Sequence, residues 1–440
     1  MMQRETWATR IGFILAAVGS AVGLGNIWRF PFQTAENGGA AFLVVYIIAV
    51  LLIGIPAILA EFVIGRRSKQ SAIGAFDALG RPRWRWVGAV GVLAGFWTLS
   101  YYSVVGGWVV RYAIGSVTGA YLGDPGTYFG AISAGPEAVA FHAVFMLVTI
   151  GIVAFGVESG IEMATKLMVP SIILLMLGLA VYAFTLSGSA AGYEYFLSPD
   201  FDALVANFES VIPAAVGQAL FSLSLGYAVM ITYASYIDRD ENLGVDGLSI
   251  AITNTFVAVL AGLVVFPLLA AQGVDYGSEG PGAIFVTVPT AFADLPNLAA
   301  RAIGFVFFFV VFIAALSSAI SLLEVVTSHL VDSYDVDRKP IAVGLGVIIF
   351  VLGIPSAWDT AWLTWFDLVS VNLLLPVGVF GVVVFAGWIL SADATDELGR
   401  GAPSLRGVAP VWLWSLRTIV LLAVLGTLVL SLGSLTAPPL

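Results

Sequence analysis

Long apolar runs separated by short polar breaks dominate this chain of 440 residues. A helix needs roughly 20 mostly apolar residues to cross a bilayer, whereas the strands of a membrane barrel show ~10-residue segments of alternating polarity. The runs therefore predict an all-α integral membrane protein with about 11 transmembrane helices. The candidate spans lie near residues 11–30, 40–65, 86–118, 139–156, 165–187, 210–236, 245–271, 301–331, 341–356, 361–390 and 410–434.

The composition excludes several other classes of protein. Only 10% of the residues are Asp, Glu, Lys or Arg, and an average soluble protein carries about 25%. The chain has no Cys and only two His, His142 and His329, which excludes thiolate metal sites and cysteine nucleophiles. Neither His lies in a recognisable serine-protease context, and no HExxH motif occurs. An intramembrane enzyme is therefore disfavoured, and we expect no enzymatic activity.

Basic side chains orient the predicted spans. Cytoplasmic loops of membrane proteins are rich in Lys and Arg, and the 66–85 loop alone holds six of them. With this loop inside, only Arg29, Arg111 and Arg301 of the 18 Lys and Arg residues fall outside. This pattern predicts a multi-pass protein of the cell (inner) membrane with a cytoplasmic N-terminus and an extracellular C-terminus. No basic patch indicates a nucleic-acid partner.

Two of the runs contain segments that are poor helix interior. Residues 19–26 read GSAVGLGN and residues 222–227 read SLSLGY, so glycine stands beside short polar residues in the middle of a span. Unwound backbone is costly in lipid unless it lines a cavity or binds a ligand. Paired interruptions in two halves of a chain indicate a binding site at the bilayer midplane. We therefore expect a single transport domain over 1–440 with a 5+5 inverted repeat, 1–190 and 205–392, and an eleventh helix at 408–436.

Polar groups near these two segments indicate the ligands. Asn26, Ser222 and Asn254 supply neutral oxygens of the kind that sodium binds, and Ser317 and Ser318 supply two more. No Asp or Glu lies within the interrupted segments, so bound cations would leave a costly buried positive charge. A substrate that carries its own carboxylate would offset this charge. These residues thus favour an amino acid that is transported together with cations.

Four motifs resemble those of neurotransmitter:sodium symporters. They are RETWATR at 4–10, GSAVGLGNIWRFP at 19–31, ENGGAAF at 36–42 and GQALFSLSLGYAVMITYASY at 217–236. The resemblance covers nearly the whole chain and is strongest to the bacterial amino-acid symporters similar to the bacterial leucine transporter. A bacterial subset of this family has eleven spans, which is the number predicted here.

The resemblance implies two sodium sites. The first would use the Ala21 carbonyl, Asn26, Ser222, Asn254 and the substrate carboxylate. The second would use the carbonyls of Gly19, Val22 and Ala314 and the hydroxyls of Ser317 and Ser318. The family often has Thr where this chain has Ser222 and Ser317, and either residue type supplies a hydroxyl.

The resemblance also implies a substrate site. It would be formed by Ser20, Ala21, Leu24, Gly25, Thr98, Tyr102, Phe221, Ser224, Tyr227, Ser318 and Leu322. The amides of Leu24 and Gly25 and the Tyr102 hydroxyl would meet the substrate carboxylate. Relatives that transport amines carry Asp at the position of Gly23, so Gly23 favours an amino acid. No pocket side chain is charged, so we expect a neutral substrate, either aliphatic or aromatic.

Two gates follow from the same resemblance. Arg29 and Asp367 would close the outer side as a charge pair above a lid formed by Tyr102 and Phe221. The cytoplasmic side would be closed by Arg4 and Asp332 beside Trp7 and Tyr236. From the residues alone, Arg4 and Asp332 could equally be two solvated loop charges.

Position 258 departs from the family pattern. Chloride-dependent relatives carry Ser there and chloride-independent relatives carry an acid, but this chain has Ala258. Chloride dependence is therefore open, although Tyr46, Gln218 and Ser222 could line a chloride site. Glu61 and Glu324 are carboxylates inside predicted spans, where such groups usually pair or become neutral. Either could carry a proton that compensates charge, or could be a hydrogen-bonded structural carboxyl.

These residues predict a symporter that takes up a neutral amino acid with two sodium ions by alternating access. The alternatives are a proton-coupled amino-acid transporter of related fold, and a non-transporting receptor or a channel on the same scaffold. The sequence leaves the oligomeric state and the identity of the amino acid open.

Overall fold

The computed structural model of the chain describes residues 6–273, 276, 283–293, 295–334, 336–433 and 435–439. The described residues form helices and loops, with no strand among them, as the apolar runs predict. The helices used below are α1 (Arg10–Ala21), α2 (Gly25–Glu36), α3 (Ala40–Ser68), α4 (Pro82–Thr118), α5 (Pro136–Ala154), α6 (Val157–Thr185), α7 (Phe208–Ser222), α8 (Val229–Ala234), α9 (Leu243–Ala271), α10 (Asn297–Tyr334), α11 (Arg338–Trp358), α12 (Thr360–Leu390) and α13 (Ala409–Leu432).

Nine helices in this described part are long and apolar enough to cross a membrane. The pair α1 and α2 makes a tenth candidate, which is bent by 42° at a break of a few residues. The predicted run 210–236 falls on α7 and α8, which are separate helices of 15 and 6 residues. Because neither is long enough to cross alone, the count of eleven spans stays a prediction.

Several short helices lie in segments that the apolar runs treat as loops. They are Gly74–Ala78, Pro125–Ile132, Ala190–Leu197, Phe201–Ala206, Ala283–Ala293, Ala392–Leu398 and Pro403–Gly407. Asp124 begins one of them, because its carboxylate accepts a hydrogen bond of 2.9 Å from the Thr127 amide. The Thr127 amide and hydroxyl together lower the pKa of this exposed carboxyl.

Capping residues set where α1 and α9 begin. The Thr9 hydroxyl accepts a hydrogen bond of 3.1 Å from the Gly12 amide, and the Asn242 side chain accepts one of 3.1 Å from the Val245 amide. Each cap satisfies an amide that the first helical turn leaves without a partner. Thr9 also donates to Glu162 of α6 at 2.7 Å, so the beginning of α1 is tied to a second helix.

The outer faces of the helices are apolar. Large exposed side chains include Leu147, Leu167, Phe184, Leu298 and Leu430. Such a surface would be poorly solvated by water but suits lipid, which is no more polar than leucine. Together with the apolar spans, these faces identify a multi-pass membrane protein.

The helix pairs α1–α2 and α7–α8 are each interrupted close to the centre of the molecule. The second interruption has three residues in the left-handed region, Ser224 at φ 54°, Gly226 at φ 84° and Ala228 at φ 56°. Left-handed backbone at a non-glycine residue costs on the order of 1–3 kcal/mol and is commonest at functional sites. A side chain on Gly226 would also lie 2.7 Å from the Leu375 carbonyl. Both interruptions predicted from the sequence are therefore confirmed as breaks in helical backbone.

Candidate substrate and sodium site

The two breaks lie against each other and form one wall of a buried cavity. The Ser224 hydroxyl donates to the Ser20 carbonyl at 2.9 Å, and the two serine hydroxyls are 3.0 Å apart. The cavity is small, with room for about one or two water molecules. It is lined by Ser20, Ala21, Gly23, Gly25, Thr98, Tyr102, Phe221, Ser224, Tyr227, Ser318 and Leu322. The structure thus brings together all the predicted substrate residues except Leu24, whose amide lies beside the cavity-lining Tyr102.

Backbone groups released by the breaks have side-chain partners. The Tyr102 hydroxyl accepts a hydrogen bond of 3.1 Å from the Leu24 amide, which leaves its own proton free to donate. The Gly25 carbonyl accepts one of 2.7 Å from Gln218. Buried backbone groups almost always require such partners. The broken backbone is therefore held in place by side chains, as a preformed binding site requires.

Gly23 has no room for a side chain. A Cβ atom at this position would lie 2.0 Å from the Ser318 hydroxyl and 2.9 Å from the Tyr102 hydroxyl. An aspartate at position 23, as the family's amine transporters have, would collide with two residues that line the cavity. The geometry agrees with a site in which the substrate, and not the protein, supplies the carboxylate.

Oxygen atoms converge at the predicted first sodium site. Asn254 Oδ1 lies 3.1 Å from the Ala21 carbonyl oxygen and 3.0 Å from the Ser222 carbonyl oxygen. Asn26 Nδ2 donates to the same Oδ1 at 2.8 Å, which favours the orientation with the oxygen inward. Turned the other way, the amide would donate to both carbonyls but would bring its nitrogen against Asn26 Nδ2. Two carbonyl oxygens about 3 Å from a third oxygen, with no hydrogen between them, are an arrangement that a cation stabilises.

The predicted second sodium site also contains clustered oxygens. The Ser317 hydroxyl donates to the Gly19 carbonyl at 2.6 Å and to the Ala314 carbonyl at 2.9 Å. The Ser318 hydroxyl donates to the Ser20 carbonyl at 2.8 Å and is 3.5 Å from the Gly19 carbonyl. Four of the predicted ligands, Gly19, Ala314, Ser317 and Ser318, thus meet here from α1 and α10. The Val22 carbonyl remains a predicted ligand.

No group of three or more His, Asp or Glu side chains that could hold a metal occurs among the described residues. Carboxylate- or imidazole-rich metal sites are therefore not seen there.

We call the side of the cavity that carries Arg29 the outer side. The Arg29 guanidinium lies 5.1 Å from the centre of the Phe221 ring and donates to Gln218 Oε1 at 3.0 Å. Asp367 accepts a hydrogen bond of 2.9 Å from the Tyr101 hydroxyl. In this described region the expected direct ion pair between Arg29 and Asp367 is not formed, because each side chain has another partner. Tyr102 and Phe221 are both buried below Arg29.

The opposite, inner side is closed by aromatic packing. The Trp7 indole donates to the Tyr233 carbonyl at 3.0 Å, and its ring lies edge-on to Tyr233 and Tyr236 at 5.1 and 6.1 Å. Asp332 accepts a hydrogen bond of 3.2 Å from the Ser71 amide. Arg4, the predicted partner of Asp332, lies outside the described residues, so this pair remains a prediction.

Glu61 and Glu324, the two carboxylates singled out from the sequence, differ in their surroundings. Glu324 is fully buried and forms an ion pair of 2.5 Å with Arg338, and it also accepts a hydrogen bond of 2.8 Å from Tyr236. Glu61 accepts a hydrogen bond of 2.9 Å from the Gly226 amide at the second break, while its Oε2 atom has no partner. Arg338 supplies the charge that Glu324 needs, so Glu61 is the better candidate for a proton carrier.

Polar groups meet at Asn254, about one helical turn before Ala258. The Tyr46 hydroxyl lies 3.1 Å from the Ser222 hydroxyl, and Asn254 Nδ2 lies 3.2 Å from both. Ala258 itself is fully buried and offers no polar atom. Chloride dependence therefore stays open, as it was from the sequence.

Three residues at or near the site were not predicted from the sequence. Ser370 bonds to Thr98 at 2.5 Å, Arg338 pairs with Glu324, and Glu162 accepts hydrogen bonds from the Ala8 amide and the Thr9 hydroxyl at 2.8 and 2.7 Å. Each of the three forms a hydrogen bond or an ion pair with a residue from another helix or segment. From the sequence, a carboxylate in an apolar run such as Glu324 indicates that a basic side chain pairs with it, but not which one.

Comparisons with known proteins agree with this geometry. The model of the sodium:neurotransmitter symporter family matches residues 4–122 and 134–438. A sodium-dependent transporter of Bacillus subtilis is 36% identical over 95% of this chain and 96% of its own length. One of Methanocaldococcus jannaschii is 37% identical over 90% of this chain and 84% of its own length. The crystal structure of MhsT in complex with L-phenylalanine superposes with a TM-score of 0.89 at 40% identity and covers 98% of this chain and 100% of that one.

Proposed function

The chain belongs to the sodium:neurotransmitter symporter family, and we propose that it takes up a neutral amino acid together with sodium. The observation that carries the proposal is the cavity at the meeting point of the two breaks, with clustered neutral oxygens beside it. Cavity-lining side chains without charge suit a substrate with no net charge. The match to a structure that holds L-phenylalanine supports an amino acid as the substrate.

We assign two sodium ions to the two oxygen clusters. Moving one positive charge inward across 100 mV releases about 2.3 kcal/mol, so two ions provide roughly 4.6 kcal/mol. A tenfold solute gradient costs about 1.4 kcal/mol. Two sodium ions can therefore support accumulation over about three decades from the membrane potential alone.

In the proposed alternating-access cycle, the outer side beside Arg29 and the inner side beside Trp7 would open in turn, never together. Binding from outside would bring Arg29, Phe221 and Tyr102 over the substrate, and loss of sodium from the Gly19 and Ser317 cluster would release Trp7 on the inner side. In this proposal residues 1–190 and 205–392 are inverted repeats, α7 and α8 together form one of eleven spans, and the N-terminus is cytoplasmic. Rocking of one group of helices against the other around a midplane site is the usual mechanism of such repeats.

Binding to the purified protein tests this proposal. We expect at least one neutral amino acid among the twenty to bind in sodium and not in choline, with acidic and basic amino acids excluded. Binding that is equal in sodium and choline would instead favour a proton-coupled transporter of related fold. Binding without any flux in liposomes would favour a receptor, and exchange of chloride for gluconate would decide the chloride question.

The surroundings of Glu61 favour one feature of the proton-coupled alternative, namely a carboxyl that binds a proton within the membrane. Its unpaired Oε2 atom lies inside a membrane protein, where an ionised carboxylate without a partner is costly. A proton on Glu61 would remove this cost. We therefore propose that Glu61, and not Glu324, compensates charge during the cycle.

A further inference from the structure

One hydroxyl in the substrate cavity differs from the others that line it. The Tyr227 hydroxyl has no hydrogen-bond partner, although the side chain is only 3% exposed. The other hydroxyls of the lining are all paired, namely those of Ser20, Thr98, Tyr102, Ser224 and Ser318. A buried hydroxyl that stays unpaired is unfavourable, because it has lost its hydrogen bonds to water.

Tyr227 lies next to a second pair of hydroxyls. Thr98 of α4 and Ser370 of α12 are fully buried, and their hydroxyl oxygens are 2.5 Å apart. The Tyr227 hydroxyl lies near both, within reach of a weak hydrogen bond to each, yet it has full hydrogen-bond geometry with neither. We call Thr98, Tyr227 and Ser370 the polar corner. It is built from three separate segments of the chain, two of whose side chains also line the cavity.

The rest of the side-chain pocket is apolar. The Phe221 ring stands edge-on to the Tyr227 ring with 6.4 Å between their centres, and Leu322 completes the lining. Such walls suit a side chain with an apolar or aromatic body. The polar corner suits a hydrogen-bonding atom at the end of that side chain, since a tyrosine hydroxyl can both donate and accept.

We propose that the polar corner selects a neutral amino acid whose side chain ends in a hydroxyl or N–H group, so that tyrosine is preferred over phenylalanine. The inference rests on the proposed function, because the two breaks must hold the backbone of the substrate. A site that hydrogen-bonds a substrate hydroxyl rejects the analogue without it, since the polar groups of the protein are then left unpaired. A purely apolar pocket would show no such preference.

Matched ligands and matched variants test the inference. L-Tyrosine and L-phenylalanine are titrated onto the purified protein in sodium, and we expect tyrosine to bind about tenfold more tightly, as one hydrogen bond allows. In Tyr227→Phe this ratio should fall to about one. Tyr121→Phe is the control, because Tyr121 is equally buried but lies outside the cavity and has its own partner, Ser116 at 2.9 Å; this variant should keep the wild-type ratio.

The outcomes separate this inference from the proposed function. Sodium-dependent binding with equal affinity for the two ligands, or an unchanged ratio in Tyr227→Phe, overturns the inference and leaves the proposed function standing. No sodium-dependent binding of any amino acid overturns both. The melting temperature of Tyr227→Phe without ligand should equal or exceed that of the wild type, because an unpaired hydroxyl is removed. A lower melting temperature would show that Tyr227 already bonds to Thr98 or Ser370, and would contradict the inference.

Discussion

The side chain of Asn26 donates to two oxygens of Asn254, the backbone carbonyl at 2.9 Å and Oδ1 at 2.8 Å. These contacts join α2, just after the first break, to the middle of α9. They also orient Asn254 Oδ1 toward the carbonyls of Ala21 and Ser222. The predicted first sodium site thus combines residues from both breaks and a third helix, and its geometry depends on this pair of amides.

Replacing Asn254 should weaken sodium binding. Asn254→Ala removes Oδ1 and leaves the Asn26 amide without its side-chain partner, so we expect the sodium concentration for half-maximal substrate binding to rise about tenfold. The measurement is a sodium titration at fixed amino-acid concentration. Asn297→Ala, at an exposed position on α10, should leave the sodium dependence unchanged. An unaltered titration curve in Asn254→Ala would contradict the assignment.

Adding one methyl group at Gly23 should abolish binding. Gly23→Ala places a Cβ atom 2.0 Å from the Ser318 hydroxyl, so either this hydroxyl must give up its bond to the Ser20 carbonyl or the first break must move. Gly151→Ala is the matched control, since no atom lies within 4 Å of its Cβ and alanine favours a helix by about 1 kcal/mol. Substrate binding and melting temperature are measured for both variants. Retained binding in Gly23→Ala would show that the cavity is looser than described.

The pair of Glu324 and Arg338 should matter for stability. Arg338→Gln leaves a fully buried carboxylate without its cation, which typically costs about 3–5 kcal/mol. We therefore expect a large fall in melting temperature, with recovery in the double variant Glu324→Gln and Arg338→Gln. The half-exposed pair Arg111 and Glu137 is the comparison, because Arg111→Gln should cost at most about 1 kcal/mol. Equal effects of the two single variants would show that Glu324 does not depend on Arg338.

Glu61→Gln tests charge compensation at the second break. An amide oxygen can still accept the hydrogen bond from the Gly226 amide, so sodium-dependent binding should stay within about threefold of the wild type, less than the loss of one hydrogen bond. The pH dependence of uptake should become flat, because a glutamine side chain does not ionise. An unchanged pH profile would exclude Glu61 as a proton carrier.

The helical architecture was predictable because membrane-spanning helices must satisfy all backbone groups within the helix and face lipid with apolar side chains. This constraint appears in the sequence as long apolar runs. The breaks were predictable for the complementary reason, since glycine and serine at 19–26 and 222–227 are unfavourable helix interior. Helix ends and the short helices within loops, such as Ala283–Ala293, were harder to predict from the sequence, because they depend on packing against other elements.

Contacts between distant segments could be predicted only in part. The candidate substrate residues were predicted through a family resemblance, and the structure brings nearly all of them to one cavity. The direct pairing of Arg29 with Asp367 was wrong for this structure, because Gln218 and Tyr101 compete for the two charges. The role of Ser370 beside Thr98 had no local signal, since a serine within an apolar run looks the same whether it faces a cavity or a neighbouring helix.

Uptake into liposomes tests the central claim most directly. The purified protein is reconstituted, and the accumulation of a radiolabelled neutral amino acid is followed with an inward sodium gradient and a negative interior. The account predicts accumulation above the external concentration that vanishes when choline replaces sodium or when the sodium gradient is collapsed. Accumulation that persists in choline, or uptake that stops at equal concentrations despite the gradient, would contradict it.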